Sequence, residues 1–596
     1  MDDDRPEGAG PTEAGTTPAT ECRAAGRSPC EGLPIAANHR TDAREDECLM
    51  STNVAEVAPA GERRTTWPVA ALILGTACVA QAALWYRYAE DSTYSKMSIL
   101  FVWPAALFAL FVWWTFFSGY RWRTRLGVLG GVTLAWMSLV AIFRIDGSDG
   151  DMLPVLSFRW EPTPEDKARA FWRNQPVAAT GATTSAIETS DDEAPEDALA
   201  PGPNDSVDFR GNGRDGIVRG DGFRKDWDAR PPAELWRHPV GLGWSSFAVL
   251  GDFAVTMEQR DDLECVVCYS LSTGDLLWLH GDTARFEQVA VNGGDGPHAT
   301  PVIAGNRTYA LGGTGLLNCL ETWTGRQIWQ RNILDDAGTE GQPAANLPWG
   351  MSGAPYVVDD LVLVIAGGTA GKSVIAYDRH TGQPRWAQGH FPASYTGPRV
   401  EEFHGERIVL AFHGEGLSGH NLETGAVLWN FPWKNDPLVN AAQPIKLEDG
   451  SLFISNGYGV GAARLEVVRH AADGTWNVAP AWTSNRLKLK FNDAVLHEGF
   501  VYGLDDGILT CLDTATGKPK WKGGRYGYGQ LLLHHDTLLV LTEEGDVALA
   551  EANPRQFRER HRLRALSGTT WNHPVVAHGK LLVRNSTEAA CFDVAP

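Results

Sequence analysis

An all-β propeller of eight blades, preceded by three transmembrane α-helices, is the fold class that this 596-residue chain predicts. Three observations predict it. A Thr-Gly-x-x-x-Trp phrase recurs through the second half of the chain, eight hairpin-like turns separate β-rich runs, and three long apolar windows without charge come first. Self-similarity at a period of roughly 40 to 50 residues, with a Gly/aromatic phrase in each repeat, is the mark of a propeller.

Taken in order, residues 1–64 are rich in Ala, Gly, Pro, Glu and Asp and lack apolar periodicity, so they are expected to be disordered. Cys22, Cys30 and Cys48 lie there without CxxC or CxxH spacing and read as incidental thiols. Met50 is an alternative start to Met1, since nothing before it looks structural; N-terminal mass spectrometry decides between them.

Residues 65–145 hold the three apolar windows, 65–86, 97–120 and 126–143, each within the roughly 17–25 residues that cross a bilayer as helix. Trp67, Trp85, Tyr86, Trp103, Trp113 and Trp114 supply interfacial aromatics. The Arg121-Trp-Arg-Thr-Arg125 connection is the most basic short loop and by the positive-inside rule belongs in the cytoplasm. That places the N-terminus inside and everything after the third helix outside. A competing reading takes the first window as a signal peptide, because Leu74-Gly-Thr-Ala-Cys78 faintly resembles a lipoprotein cleavage box. The apolar run continues past Cys78 and two more spans follow, which favours the three-helix reading.

Residues 146–205 are rich in Pro, Ala and acids, including Asp191-Asp-Glu-Ala-Pro-Glu-Asp197, and are expected to form a solvated tether. From 206 to 596 the repeats take over. Thr-Gly-x-x-x-Trp ends on Trp278, Trp329, Trp386, Trp429 and Trp521; Trp482 stands where a further copy would end, and Asn553-Pro554 replaces one Thr-Gly. The turns fall at Gly251-Asp252, Gly305-Asn306, Asp359-Asp360, His404-Gly405, Asp449-Gly450, Glu498-Gly499, His535-Asp536 and His578-Gly579, each flanked by apolar strands. Glu234-Leu-Trp236 has no hairpin before it. It is expected to complete the blade begun at His573, closing the ring with strands from both ends of the region and protecting the sheet edges.

On those residues, the region from Asp208 onward resembles the PQQ-repeat (pyrroloquinoline quinone-like) propellers. The opening Phe209-Arg-Gly-Asn-Gly-Arg-Asp-Gly216 is similar to the start of such proteins from planctomycete-type bacteria. The resemblance implies one of two branches, quinoprotein alcohol dehydrogenases or non-enzymatic scaffolds like the outer-membrane assembly factor BamB, and fold alone does not choose between them. The dehydrogenase branch implies PQQ held by Ca²⁺ in the funnel, a disulfide between adjacent cysteines and often a CxxCH haem site. This chain has neither a Cys-Cys pair nor CxxCH.

Nine cysteines are too few for a disulfide scaffold of this length. Cys268, Cys319 and Cys511 share one register of the repeat with Ala376, Gly419 and Ala548, and Cys591 matches it in the last blade; the slot calls for a small buried residue. A net charge of -21 argues against a nucleic-acid footprint, which would be basic. Gly312-Gly313-Thr-Gly315 lacks the Gly-Lys-Ser/Thr of a phosphate loop, and neither GxSxG nor HExxH occurs.

The residues that open the inner strands are expected to ring the axis, among them Trp244, Tyr395, Asn440, Lys490, Asn492, Asp493 and Trp571. Such a set either grips a planar anionic ligand, with Lys490 pairing its carboxylate, or fills a wet channel with satisfied hydrogen bonds. The expectation is a protein of the bacterial inner membrane with a cytoplasmic N-terminus and a periplasmic propeller. It would act as a non-catalytic scaffold, binding a protein partner on a propeller face, with no catalytic residue, metal or cofactor. The alternative is a PQQ sensor or PQQ-dependent oxidoreductase with PQQ and calcium in the funnel.

Overall fold

The computed structural model describes residues 67–88, 92–174, 200–287, 294–339, 347–368 and 370–596. The expected disorder of residues 1–64, the alternative start at Met50 and the acidic run 191–197 lie outside the described residues.

Three helices come first: α1 (Trp67–Arg87), α2 (Ser92–Val112, continued by a π-helical turn over Trp113–Phe117) and α3 (Trp122–Ile142). Each is long and apolar enough to cross a membrane. α2 and α3 begin before their charge-free windows, because helical hydrogen bonding runs on through Lys96, Arg123 and Arg125, whose long stems reach polar surroundings. α1 and α2 lie antiparallel. Trp67 packs on Trp113 at one end, and Trp85 Nε1 donates to the Ser95 carbonyl at the other (3.0 Å). Arg125 Nη1 donates to the Thr115 carbonyl (2.8 Å), a group the π turn leaves available.

Part of the stretch read as a tether has regular structure. A hairpin, β1 (Phe143–Ser148) and β2 (Pro154–Phe158), leaves α3 directly and is followed by helix α4 (Pro164–Asn174). α4 starts on a capping box: Asp166 N donates to Thr163 Oγ1 (3.0 Å) and Thr163 N to Asp166 Oδ2 (3.2 Å), with Pro164 at the first helical position. The helix docks on strand β3 (Ala233–Pro239). Phe171 stacks on His238 at 5.0 Å, Arg260 lies 4.4 Å over the Trp172 ring, and Glu165 pairs with Arg285. β3 is the outer strand of its sheet, and α4 packs against its His238 end.

The rest is a ring of eight four-stranded antiparallel blades spanning 248–283, 302–332, 356–388, 399–432, 445–484, 495–525, 530–564 and 575–593, numbered 1 to 8 below. β3 supplies the fourth strand of blade 8, so both ends of the region close the ring as expected. All eight expected turns join the first two strands of their blades. His404-Gly405, Glu498-Gly499 and His578-Gly579 carry two consecutive positive φ angles, as a two-residue hairpin with the native twist demands.

The repeated Trp docks six of the eight blades on the next through its indole N–H. Trp278 Nε1 of blade 1 donates to the Thr322 carbonyl of blade 2 (2.9 Å), Trp329 to Arg379 of blade 3 (3.0 Å), and Trp386 to Leu422 of blade 4 (3.0 Å). Trp236, Trp482 and Trp521 do the same to Leu271, Thr514 and Asn553. The indole lies flat on the Gly of the neighbour's Thr-Gly turn. A Cβ on Gly274 would sit 2.7 Å from Trp236, and Gly274 has φ +76°, so both space and backbone require glycine there. The cysteine register falls directly across the ladder from the same Trp residues: Cys268 pairs with Trp278, Cys319 with Trp329, Cys511 with Trp521 and Cys591 with Trp236. All four thiols are buried and free, and burial pushes the Cys319 and Cys511 pKa up to about 11. The register sets blade packing.

Candidate functional site: the axial channel

Both approaches to the axis are taken by the chain itself. The segment 205–220 enters from the hairpin-tip face. Asp205 Oδ1 accepts from Gly251 N (2.8 Å) and pairs with His578, and Ser206 then bridges Val249 at the open edge of blade 1's inner strand. Ile303 N of blade 2 donates to the Val207 carbonyl (2.8 Å). Farther on, Ile217 forms a parallel bridge to Leu533 of blade 7, with Val218 N donating to Leu533 O (2.7 Å) and Leu533 N to Gly216 O (2.8 Å). The innermost strand of a blade has one unpaired edge, and this segment supplies the missing partner groups.

Between those anchor points Arg210 (φ 61°) and Arg214 (φ 52°) take up the left-handed conformation and bury their side chains. Arg214 forks onto Asp208 (Nε–Oδ1 2.8 Å) and donates to the carbonyls of Pro355, before blade 3, and Pro398, before blade 4 (3.1 Å). Its guanidinium also lies 4.8 Å over the Tyr356 ring. Arg210 Nη2 donates to the Ala494 carbonyl leading into blade 6 (2.6 Å), and Nη1 lies 3.6 Å from Asp493. Burial pushes the Asp493 carboxyl up, but Arg210 and His573 (Nε2 3.2 Å away) outweigh it and hold the pKa below the ordinary value. Phe209 meets His573 edge-on at 4.7 Å. The Phe209–Gly216 phrase is therefore an axial core whose two arginines tie the ring's inner carbonyls together.

The other approach carries a connected aromatic patch. Trp244 lies 4.6 Å from Trp571, Trp571 5.2 Å from Phe491, and Phe491 5.1 Å from Tyr528. The turn between β1 and β2 sits on it. Lys490 Nζ donates to the Gly150 carbonyl (2.6 Å), Gly150 N donates to Glu543 Oε1 (2.7 Å), and Tyr528 OH donates to Asp151 Oδ1 (3.0 Å). Lys96 of α2 pairs with the same Asp151. Glu543 Oε1 also accepts from Trp571 Nε1 (2.9 Å), so one carboxylate holds both the turn and the patch. A Cβ on Gly150 would collide with the Tyr528 ring, which explains glycine at the tip.

Of the residues expected to line a funnel, Trp244, Lys490 and Trp571 come together in this mouth. Lys490 is turned to the chain's own carbonyl, and its Nζ lies 4.6 Å over Tyr528. Tyr395 packs edge-on against Trp349 at 5.5 Å. Asn440 is fully buried and staples strand openings, donating to His413 O (2.7 Å) and Trp433 O (3.1 Å) and accepting from Asn456 Nδ2 (2.7 Å). Asn492 accepts from Lys490 N (3.0 Å) and donates to Leu504 O (3.2 Å). Asp493 accepts from Gln443 N (2.6 Å) besides facing Arg210 and His573. Sequence reasoning missed Arg210, Arg214, Glu543 and Gly150. The arginines donate to backbone carbonyls far away in the chain, and Glu543 and Gly150 bind each other across 393 positions, so none of the four leaves a spacing signal. A signal did exist for the arginines, since two charged residues sit in a Gly-rich opening phrase otherwise built for a tight turn.

The Gly-rich piece at 312–315 serves packing. It joins two strands of blade 2, and Gly313 N (2.7 Å) and Thr314 Oγ1 (3.0 Å) donate to the buried Glu264 of blade 1. Burial, reinforced by nearby Asp282, raises the Glu264 pKa to about 7. A folded-state pKa above the ordinary 4.5 means that the folded protein holds this proton more tightly. The stabilising contribution is complete below about pH 4.5 and is lost as pH rises to about 7. Glu264→Gln is expected to flatten that fall, raising the melting temperature at pH 8 relative to pH 5 by several degrees against the parent; thermal melts at the two pH values measure it.

Residues 260–523 match the protein-family model described as outer membrane protein assembly factor BamB, of the PQQ-repeat type. The ring resembles the PQQ-repeat propellers over blades 1 to 6. A curated relative, the outer membrane protein assembly factor BamB of Burkholderia pseudomallei (strain K96243), is 26% identical over 260 residues, which cover 38% of this chain. The chain spans 65% of that relative's length. Among solved structures, BamB from Moraxella catarrhalis superposes with TM-score 0.43 at 15% identity, covering 61% of this chain and 97% of that one. A europium-containing methanol dehydrogenase superposes with TM-score 0.49 at 14% identity, covering 66% and 91%. Part of the eight-bladed ring is thus similar in sequence to an assembly factor, while α1 to α4 and the hairpin precede the matched region.

Proposed function

We propose that this chain is a non-catalytic scaffold of the bacterial envelope, anchored by α1–α3 in the inner membrane with a cytoplasmic N-terminus. Its PQQ-like propeller stands in the periplasm and binds a protein partner on a propeller face. The observation that carries the reading is the occupied axis: the segment 205–220 fills one approach and the turn at Gly150 the other. The polar groups that a planar quinone and its calcium would need are committed elsewhere. Lys490 holds Gly150, Asn440 and Asn492 hold backbone groups, and Asp493 is shared by Arg210 and His573. These residues do not fit PQQ with calcium without expelling the chain's own segments. The sequence likeness to a protein named an assembly factor supports the scaffold role, and the basic Arg121–Arg125 connection supports the orientation.

Titrating the full-length protein in lipid nanodiscs with PQQ and CaCl₂ tests the reading. The expected result is no shift in melting temperature and no dye reduction with alcohols, and turnover would overturn it. An alkaline phosphatase domain fused to the C-terminus is expected to be active, and an inactive fusion in full-length expressed protein would reverse the orientation.

A further inference from the structure

The hairpin β1–β2 presents an apolar face that none of the described residues covers. Phe143 stands opposite Phe158 in the ladder and Ile145 opposite Leu156, so these four share a face, and Trp160 continues it two residues on. Phe143 and Phe158 stack at 5.0 Å, and Phe158 and Trp160 at 4.7 Å. Ile145 is 60% exposed, Leu156 57% and Trp160 67%. Arg144 and Ser157 pair on the opposite face, where Arg144 binds Asp146 (2.6 Å).

The hairpin is also a rigid continuation of α3. Arg159 Nε donates to the carbonyls of Val140 (2.6 Å) and Phe143 (3.0 Å), and Arg159 N donates to Ile142 O (2.9 Å). A helix end leaves its last carbonyls free, and here the second strand's successor residue takes them. The apolar face is thereby held next to the last turn of a membrane-length helix. The same end carries Trp85 and Tyr86 in the last turn of α1, placed there by the Trp85–Ser95 bond and by the Lys96–Asp151 pair that joins α2 to the hairpin turn. Aromatic rings beside apolar spans mark the depth at which a bilayer meets water.

We infer that this hairpin lies in the membrane interface, with Ile145, Leu156, Phe158 and Trp160 inserted among the lipids of the leaflet facing the propeller. With its turn at Gly150 locked into the channel mouth, the hairpin seats that face of the propeller on the bilayer and leaves the hairpin-tip face for other contacts. The inference rests on α1–α3 crossing the membrane, and the experiment separates the two. Full-length protein with Cys22, Cys30, Cys48 and Cys78 changed to Ser keeps only buried thiols. Ile145→Cys, Leu156→Cys, Ser157→Cys and, as the anchor reference, Leu134→Cys are each labelled with a polarity-sensitive fluorophore. The labelled proteins go into phosphatidylcholine nanodiscs with or without doxyl-labelled lipid, a parent-like melting temperature being the criterion of folding. Lipid quenching at positions 145 and 156 is expected to exceed that at 157 by at least twofold. Quenching at 134 with none in excess at 145 and 156 overturns the interfacial hairpin and leaves the anchor standing. Absence of quenching at 134 as well overturns both.

Discussion

Replacing Arg214 with alanine is expected to cost about 3–5 kcal/mol of propeller stability, the range for removing one partner of a buried ion pair. The side chain is buried on the axis, where it joins Asp208 to carbonyls leading into blades 3 and 4. Its loss leaves Asp208 without its cation and strips donors from carbonyls that water does not reach easily. Arg214→Lys keeps the charge but not the planar fork and is expected to lose about half as much, because one ammonium cannot satisfy Asp208 and two separated carbonyls at once. Chemical unfolding of the full-length protein in detergent, followed by tryptophan fluorescence, gives both values. A loss below about 1 kcal/mol for Arg214→Ala would mean that the segment 205–220 rests on the ring without holding it.

The second large effect is expected at the docking tryptophan of blade 1. Trp278→Ala should cost about 3–5 kcal/mol, the range for emptying a large aromatic site in a core. The indole is 5% exposed and packs with Val255, Cys268, Ile303 and Leu320 across the junction of blades 1 and 2. Trp278→Phe keeps most of the plate and loses the bond to the Thr322 carbonyl, a term of about 1 kcal/mol. Blade 4 supplies the internal reference. Trp429 has an equally buried ring, but among the described residues its Nε1 has no hydrogen-bond partner. Trp429→Phe should therefore cost less than Trp278→Phe in the same melt, and equal costs would show that the indole N–H contributes nothing to docking.

Those two sites also mark what could be read in advance. The Trp, the Gly beneath it and the small residue across the ladder recur with the blade, so a repeat pattern reveals all three, and with them the blade count and the closure through β3. Trp429 shows the limit of the pattern: the phrase is intact in blade 4, yet among the described residues the indole N–H has no partner. The axis was harder to read. The Gly150–Glu543 bond joins residues 393 apart, and Arg210 reaches Ala494 284 positions away. Pairing of that kind depends on where a closed ring brings the backbone, and nothing local encodes it. α4 lies between these cases, since Thr163-Pro-Glu-Asp166 is a helix start and Phe171-Trp172 an apolar pair, both masked by the acidic composition around them.

The claim that the chain stoppers its own channel is tested most directly by hydrogen–deuterium exchange of the full-length protein in nanodiscs. An amide buried in a packed axis exchanges only through large-scale opening, whereas one in a mobile loop exchanges almost at once. The amides of Gly150, Ser206 and Val218 are expected to exchange as slowly as those of the central blade strands, such as Leu539 and Leu549, because each donates to a buried or half-buried acceptor. Exchange of Gly150, Ser206 and Val218 within seconds, against protected central strands, would contradict the account and reopen the channel to a ligand.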